Sequence, residues 1–219
     1  MKRRLRPAAR TEPWHPCAWQ LQSLLLAYPD ERLPEYLSLA RRAAPALPER
    51  VRDPLLAFTG HAERTPAGEL AAAYVATFDH RKRCCPYLTY YAHGDTRRRG
   101  IALLRLKQAY AAAGLRLADD ELPDHLAVVL EFAAADPPAG HRLLTEHRAG
   151  LELLRLALGA EDSPWAWVLR SVSATLPPLK GDEQDAVARL AAEGPPEEQV
   201  GLDPYMPPHV MPDPAGGPR

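Results

Sequence analysis

Residues 81–100, RKRCCPYLTYYAHGDTRRRG, set two adjacent thiols among basic side chains and three tyrosines. That mixture offers three chemistries: metal ligation by thiolate, binding of phosphates and bases, or docking of a protein. About twenty residues on, ELPDH at 121–125 brings Glu121, Asp124 and His125 together beside a proline. Two carboxylates and an imidazole there could cap a helix and form salt bridges, recognise a partner, or serve as acid and base. The last use needs pKa values pushed apart, which spacing does not reveal.

Metal is the weakest of these readings. Adjacent side chains diverge, so Cys84 and Cys85 do not readily share a tetrahedral ion, and no CxxC or second ligand pair completes a shell. Ordinary half-buried cysteines are expected ahead of a reactive thiol. His80, His93 and His125 are available to a thiol nucleophile, but no signature selects one. HGDTRRRG lacks the GxxxxGK[ST] loop and follows no strand, so it is no P-loop. Tyr87, Tyr90 and Tyr91 with neighbouring cations could stack bases. Against this, the whole chain carries 27 basic and 28 acidic residues, a formal charge of −1, and exerts no global pull on nucleic acid.

Arg97, Arg98 and Arg99 pose a sharper question. They fall in the first turn of a helix, at its positive end, where an exposed cation costs about 0.3–1 kcal/mol. The chain's own acids, such as Asp79, Asp95 or the 119–124 cluster, would offset them, or an acidic partner would.

The elements that position these residues read as helices throughout. Alanine and leucine dominate, and Ile101 is the only isoleucine among 219 residues. Cys17, Leu21, Leu24 and Tyr28 step by four, three and four along a first helix stopped by Pro29. A second spans about 34–44, and Asp53-Pro54 reads as the start of a third. A fourth covers 67–78 with Leu70, Ala73 or Tyr74, and Phe78 inward. The next is capped at Asp95 or Thr96, carries Leu103, Leu106, Tyr110 and Ala113, and closes at Gly114. Pro123 suits the first turn of another, with Asp119, Asp120, Glu121 and Asp124 at its positive end and Leu122, Leu126 and Val129 inward, until Asp136-Pro137-Pro138. Leu144, His147, Leu151, Leu154 and Leu158 describe one long helix closed at Gly159. Ser163-Pro164 opens a shorter one with Trp165, Val168, Leu169 and Val172, and DEQDAVARLAAE adds a last turn or two.

The expected organisation is a flexible arm over 1–15, an all-helical body over 16–193, and a disordered tail over 194–219. The arm is basic but is not followed by an apolar stretch, so it does not read as a signal peptide. The tail holds eight of the 24 prolines. No apolar run is long enough to cross a bilayer, and three cysteines, two adjacent and one far away, make no disulfide framework and suit a reducing cytoplasm.

Taken together, YVATFDHRKRCCPYLTYYAHGDTRRRGIALLRLKQAYAAAGL and ELPDHLAVVLEFAA, with LLAYPD closing the first helix, resemble the nitrate reductase molybdenum cofactor assembly chaperones. This is the NarJ or delta-subunit family, within the TorD/DmsD superfamily of redox-enzyme maturation proteins. The likeness runs over about 20–160 and leaves out both ends. It implies an all-α, single-domain helical bundle of the TorD/DmsD type that catalyses nothing. The partner it implies is the apo catalytic (alpha) subunit of a respiratory nitrate reductase, bound mainly through its N-terminal segment while the molybdenum guanine dinucleotide cofactor is inserted and membrane docking is delayed. On that reading no cofactor is bound permanently, and contact with the molybdenum cofactor is at most transient, through the client. Cofactor-delivery proteins are further potential partners; nucleic acid and stable membrane insertion are not implied. Glu121, Asp124 and His125 fall in the superfamily's acidic-Pro-Asp-His signature, and Tyr87, Tyr90, Tyr91 and Arg97–Arg99 in the branch-specific stretch. These nine are the candidate peptide-binding residues. Asp124 and Glu121 are expected to meet basic client residues, the arginines an acidic stretch, and His125 to make release pH-sensitive. A thiol- or nucleotide-dependent enzyme and a nucleic-acid adaptor are the alternatives.

Overall fold

A computed structural model of the chain describes residues 11–118 and 121–194. The expectations for the basic arm before residue 11, for Asp119 and Asp120, and for the tail after residue 194 lie outside the described residues.

The described residues form α1 (His15–Leu26), α2 (Leu33–Ala43), α3 (Glu49–Arg64), α4 (Ala67–Phe78), α5 (Leu88–His93), α6 (Arg97–Ala112), α7 (Leu126–Ala135), α8 (Pro137–Glu146), α9 (Arg148–Ala160), α10 (Trp165–Ala174) and α11 (Gly181–Glu193). Short 3-10 turns cover Ala44–Ala46 and Lys82–Cys84. The fold is all-α, as expected. Among the described residues, the extended backbone contributes one isolated antiparallel bridge, Tyr87 to His125.

α1 is the central helix. It lies against α7 over its length, and also contacts α2 and α10. Its buried residues are His15, Ala18, Trp19, Leu21, Gln22, Ser23, Leu25 and Leu26. The face expected from the Cys17–Leu21–Leu24–Tyr28 spacing is therefore rotated: Leu21 is inside, but Tyr28 lies beyond the helix and is 52% exposed. Polar side chains fix the rotation. Trp19 Nε1 donates to Thr175 Oγ1 at 3.0 Å, Gln22 Nε2 to Ser171 Oγ at 2.8 Å, and Ser23 Oγ to the Ala127 carbonyl at 2.7 Å. Each satisfies a buried polar group that would otherwise cost free energy.

Three other boundaries differ from expectation. α3 starts at Glu49, so Pro54 lies inside it, where its missing N–H leaves one ladder bond unmade. The helix after ELPDH begins at Leu126 rather than Pro123, and Leu122 is exposed rather than inward. The long helix expected from Leu144 to Leu158 is two helices, α8 and α9, joined at His147 with φ −97° and ψ 17°. Asp136 starts α8 by accepting from the Ala139 N–H at 3.1 Å, so Pro137 both follows α7 and opens α8. α7 and α8 cross closely at Gly140, where an added Cβ would lie 2.1 Å from the Ala133 Cα.

Candidate functional site

The two candidate stretches meet in space. Pro86 and Leu88 flank Tyr87, and Asp124 and Leu126 flank His125, with a backbone bond on either side of the bridge. The Leu88 N–H donates to the Asp124 carbonyl at 2.9 Å, and the Leu126 N–H to the Pro86 carbonyl at 2.9 Å. This short clamp turns 121–125 away from helix and places the α7 start at His125. There the Ala127 N–H donates to His125 Nδ1 at 3.3 Å, an imidazole cap. Tyr110, from α6, donates to the Pro123 carbonyl at 2.5 Å.

Beneath the clamp, Asp124 is fully buried. The Thr89 hydroxyl donates a short hydrogen bond to its Oδ2, and Arg99 Nη2 lies 3.5 Å from the same oxygen. Arg99 Nη1 also donates to Asp95 Oδ1 at 2.8 Å, and the guanidinium lies over the Tyr87 ring, 5.6 Å from its centroid. Tyr87 in turn meets the edge of His125, with centroids 5.4 Å apart. Carboxylate, guanidinium, phenol and imidazole are thus one layered stack. Thr96 does not cap α6 with its side chain; its hydroxyl donates to the His93 carbonyl at 2.8 Å. Asp95 and Asp124 answer the cation at that helix start instead.

This burial corrects the role expected for Asp124. A carboxylate closed in by Thr89 and Arg99 holds the corner together and does not face a client cation. Arg99 leaves the expected anion-binding trio for the same reason. Tyr91 is likewise interior: its hydroxyl donates to the Cys85 carbonyl at 2.9 Å and the Arg83 carbonyl at 3.1 Å. Its ring lies on Gly150, where a Cβ would come within 2.8 Å of the Tyr91 Cβ. Arg97 and Arg98 are exposed on α6. Tyr90 is half-buried, edge-on to Tyr91. Burial raises the pKa of Cys17, Cys84 and Cys85, so none is an activated thiolate. Among the described residues no group of three or more His, Cys, Asp or Glu could hold a metal ion.

Tyr87, Glu121 and His125 do face an open space. It is a groove of about 720 Å³ between α1, the start of α2, α4 and α7. Tyr28, Tyr36 and Tyr74 line it with Leu24 and Leu122, and Arg32, Glu121 and Glu131 supply charge. Tyr74 is held by donating to the Leu26 carbonyl at 3.1 Å, and Tyr28 stands edge-on against it. Arg32 covers the Tyr36 ring. Burial lowers the His125 pKa, partly offset by Asp124, so the ring stays a neutral cap at neutral pH. Sequence reasoning missed Tyr28, Arg32, Tyr36 and Glu131. The available signal was Tyr28 directly before Pro29, a helix terminus where an aromatic projects instead of packing. The arrangement suits binding of an extended or helical segment with apolar and basic residues: aromatic walls, a few charges, and a rigid base.

A family model described as nitrate reductase delta subunit matches residues 44–169. Nitrate reductase-like protein NarX of Mycobacterium tuberculosis is 37% identical over 74% of the chain, which spans only 24% of that protein's length. NarJ of Bacillus subtilis, named a probable nitrate reductase molybdenum cofactor assembly chaperone, is 35% identical over 70% of the chain and 85% of its own length. The nitrate reductase molybdenum cofactor assembly chaperone NarJ of Escherichia coli K12 is 33% identical over 52% of the chain and 50% of its own length. Among solved structures, a candidate redox enzyme maturation protein from Archaeoglobus fulgidus superposes with a TM-score of 0.56 at 23% identity, covering 78% of the chain and 98% of that structure. That last likeness speaks for the fold alone.

Proposed function

Since the chain belongs to the nitrate reductase delta subunit family, we propose that it is an assembly chaperone for a respiratory nitrate reductase and performs no catalysis of its own. Its client is the apo catalytic subunit, engaged through the N-terminal segment. Holding that subunit open allows the molybdenum guanine dinucleotide cofactor to be inserted, and keeps the subunit from the membrane until insertion is complete. The cofactor is cargo of the client and is touched here only transiently. The work belongs in the cytoplasm. Among the described residues no helix is long and apolar enough to cross a membrane.

The groove beside the clamp carries this reading. An amphipathic client segment would set its apolar face on Tyr28, Tyr74, Tyr87 and Leu122, as in helix-in-groove recognition. Its basic residues would meet Glu121 and Glu131. Asp124 and Arg99 act indirectly by holding Tyr87 and His125 in place. Arg97 and Arg98, outside the groove, would meet a different, acidic part of the client.

Calorimetry with a peptide of the first few dozen residues of the catalytic subunit tests this. Binding is expected, and Tyr28→Ala and Glu131→Lys should each weaken it about tenfold, roughly 1.4 kcal/mol. Unchanged affinity in both variants, with the fold intact, removes the groove as the binding site.

A further inference from the structure

The groove beside the clamp continues past Glu131. A second hollow of about 600 Å³ adjoins it, walled by Tyr110, Leu115, Arg116 and Phe132. Gln20, Glu121, Val128 and Glu131 line both hollows, so the two are one trough. On α1 the lining side chains Pro16, Gln20, Leu24 and Ala27 step by four, four and three along a single half-buried stripe. The opposite wall is α7, running the other way. His125 and Ala127 at its start line the first hollow, and Phe132 and Ala135 toward its end line the second. At 1.5 Å per residue, Pro16 to Ala27 measures about 16 Å, or about three helical turns.

Both walls are helix faces, whose backbone groups are bonded within their own helices. An extended occupant finds no sheet edge there to pair with its N–H and C=O groups, whereas a helical one satisfies them internally. Ser23, Ala27, Ala127 and Ala134 keep the floor low, which lets another helix come close. Charge changes along the trough. Glu121 and Glu131 sit where the hollows join, Arg32 lines only the first hollow, and Arg116 only the second. The apolar anchors are divided in the same way, Tyr28, Tyr74 and Leu122 on one side of the acids, Leu115 and Phe132 on the other.

We infer that the trough takes a three-turn amphipathic helix in one charge register: basic residues in the middle turn on Glu121 and Glu131, apolar residues in both outer turns, and acidic residues at the ends toward Arg32 and Arg116. That this helix belongs to the client rests on the function proposed above; the register follows from the trough itself. Leu115 and Arg116, in the chain after α6, thereby determine specificity together with the tyrosines of the first hollow. A helix with acids in its middle turn meets like charge at both glutamates, so the wrong register is repelled as well as unrewarded. An exposed ion pair is worth up to about fivefold in affinity. Exchanging attraction for repulsion at two acids therefore amounts to about tenfold.

Two synthetic peptides of about fourteen residues, stapled as helices and identical in composition, test this by calorimetry against the full chain. One carries two lysines in its middle turn and a glutamate in each outer turn; in the other the lysines and glutamates are exchanged, with the leucines unmoved. The first is expected to bind about tenfold tighter at low salt, and Glu121→Gln/Glu131→Gln should reduce that preference to about twofold or less. Leu115→Ala/Arg116→Ala should weaken the first peptide about fivefold, while Glu69→Lys, exposed on α4, leaves it unchanged. Equal affinity of the two peptides overturns the register, as does binding that Leu115→Ala/Arg116→Ala leaves intact in a folded chain. A client segment that binds while neither peptide does also overturns it, and the function proposed above then stands alone. Discrimination between the peptides in a chain that binds no client segment upholds the register and refutes the client reading. Binding of neither peptide nor client segment removes both.

Discussion

Replacing Asp124 by alanine should cost the fold stability before it costs anything else. The carboxylate is fully buried, accepts from Thr89 and lies 3.5 Å from Arg99. At an effective dielectric near 20, opposite charges at that separation attract by about 5 kcal/mol, much of which is offset by the desolvation of the pair. Removing one partner leaves the other without its charge and strands the Thr89 hydroxyl. A fully buried pair broken this way loses about 3–5 kcal/mol. Arg99 keeps Asp95 at 2.8 Å and remains partly exposed, so about 2–4 kcal/mol is the expectation here. For a chain of this size that lowers Tm by about 4–16 °C. Asp124→Asn, which can still accept from Thr89, should fall between parent and Asp124→Ala. Urea denaturation and calorimetry measure both, and a double-mutant cycle with Arg99→Ala isolates the coupling. The reasoning fails if Asp124→Asn keeps the parental Tm within about 1 °C and yet loses client-peptide affinity tenfold, because that pattern belongs to a carboxylate facing the client.

Gly150→Ala should destabilise by about 1–3 kcal/mol, since its methyl would press on the Tyr91 Cβ and ring that anchor the clamp. Gly159→Ala, with open space around it in the same helix, should be stabilising by up to about 1 kcal/mol; equal effects at both positions would refute the packing argument. Stability should also fall on mild acidification. Burial lowers the pKa of His15, His125, His141 and His147, so the unfolded chain takes up protons near pH 6.5 that the native state refuses. The stabilisation is fully present above about pH 6.5 and declines below it, and His141→Gln should flatten that decline. Denaturation midpoints at pH 7.5 and 5.5 measure it, and equal midpoints refute it. Client affinity should for the same reason be flat from about pH 6.5 to 8, and His125 should loosen α7 only in more acid solution.

Much of the local structure was written in short-range signals. α2, α4, α6 and α10 lie where apolar periodicity and proline or glycine punctuation put them. Gly114 takes φ +75° after α6, as a C-terminal glycine should. The long stripe through His147 misled because Leu144, Leu151, Leu154 and Leu158 are all buried whether or not the helix breaks between them. Periodicity reports which residues point inward, not whether the backbone is continuous. ELPDH misled differently: Pro123 is compatible with a helix start, but backbone bonds from Leu88 to Asp124 and from Leu126 to Pro86 hold the segment as a turn leading into a bridge, and those partners are more than 30 residues away.

By itself, then, the sequence determined the all-helical class, most helix positions and the pair of stretches that mark the family, because each depends on residues within a turn or two of one another. Tertiary structure alone decided that these stretches are two sides of a single clamp and that Asp124 and Arg99 are its interior. It also decided that the open surface belongs to Tyr28, Tyr36, Tyr87, Glu121 and Glu131. Burial and apposition depend on contacts between segments far apart in the chain, and the spacing of residues along one segment carries no record of what another will press against it.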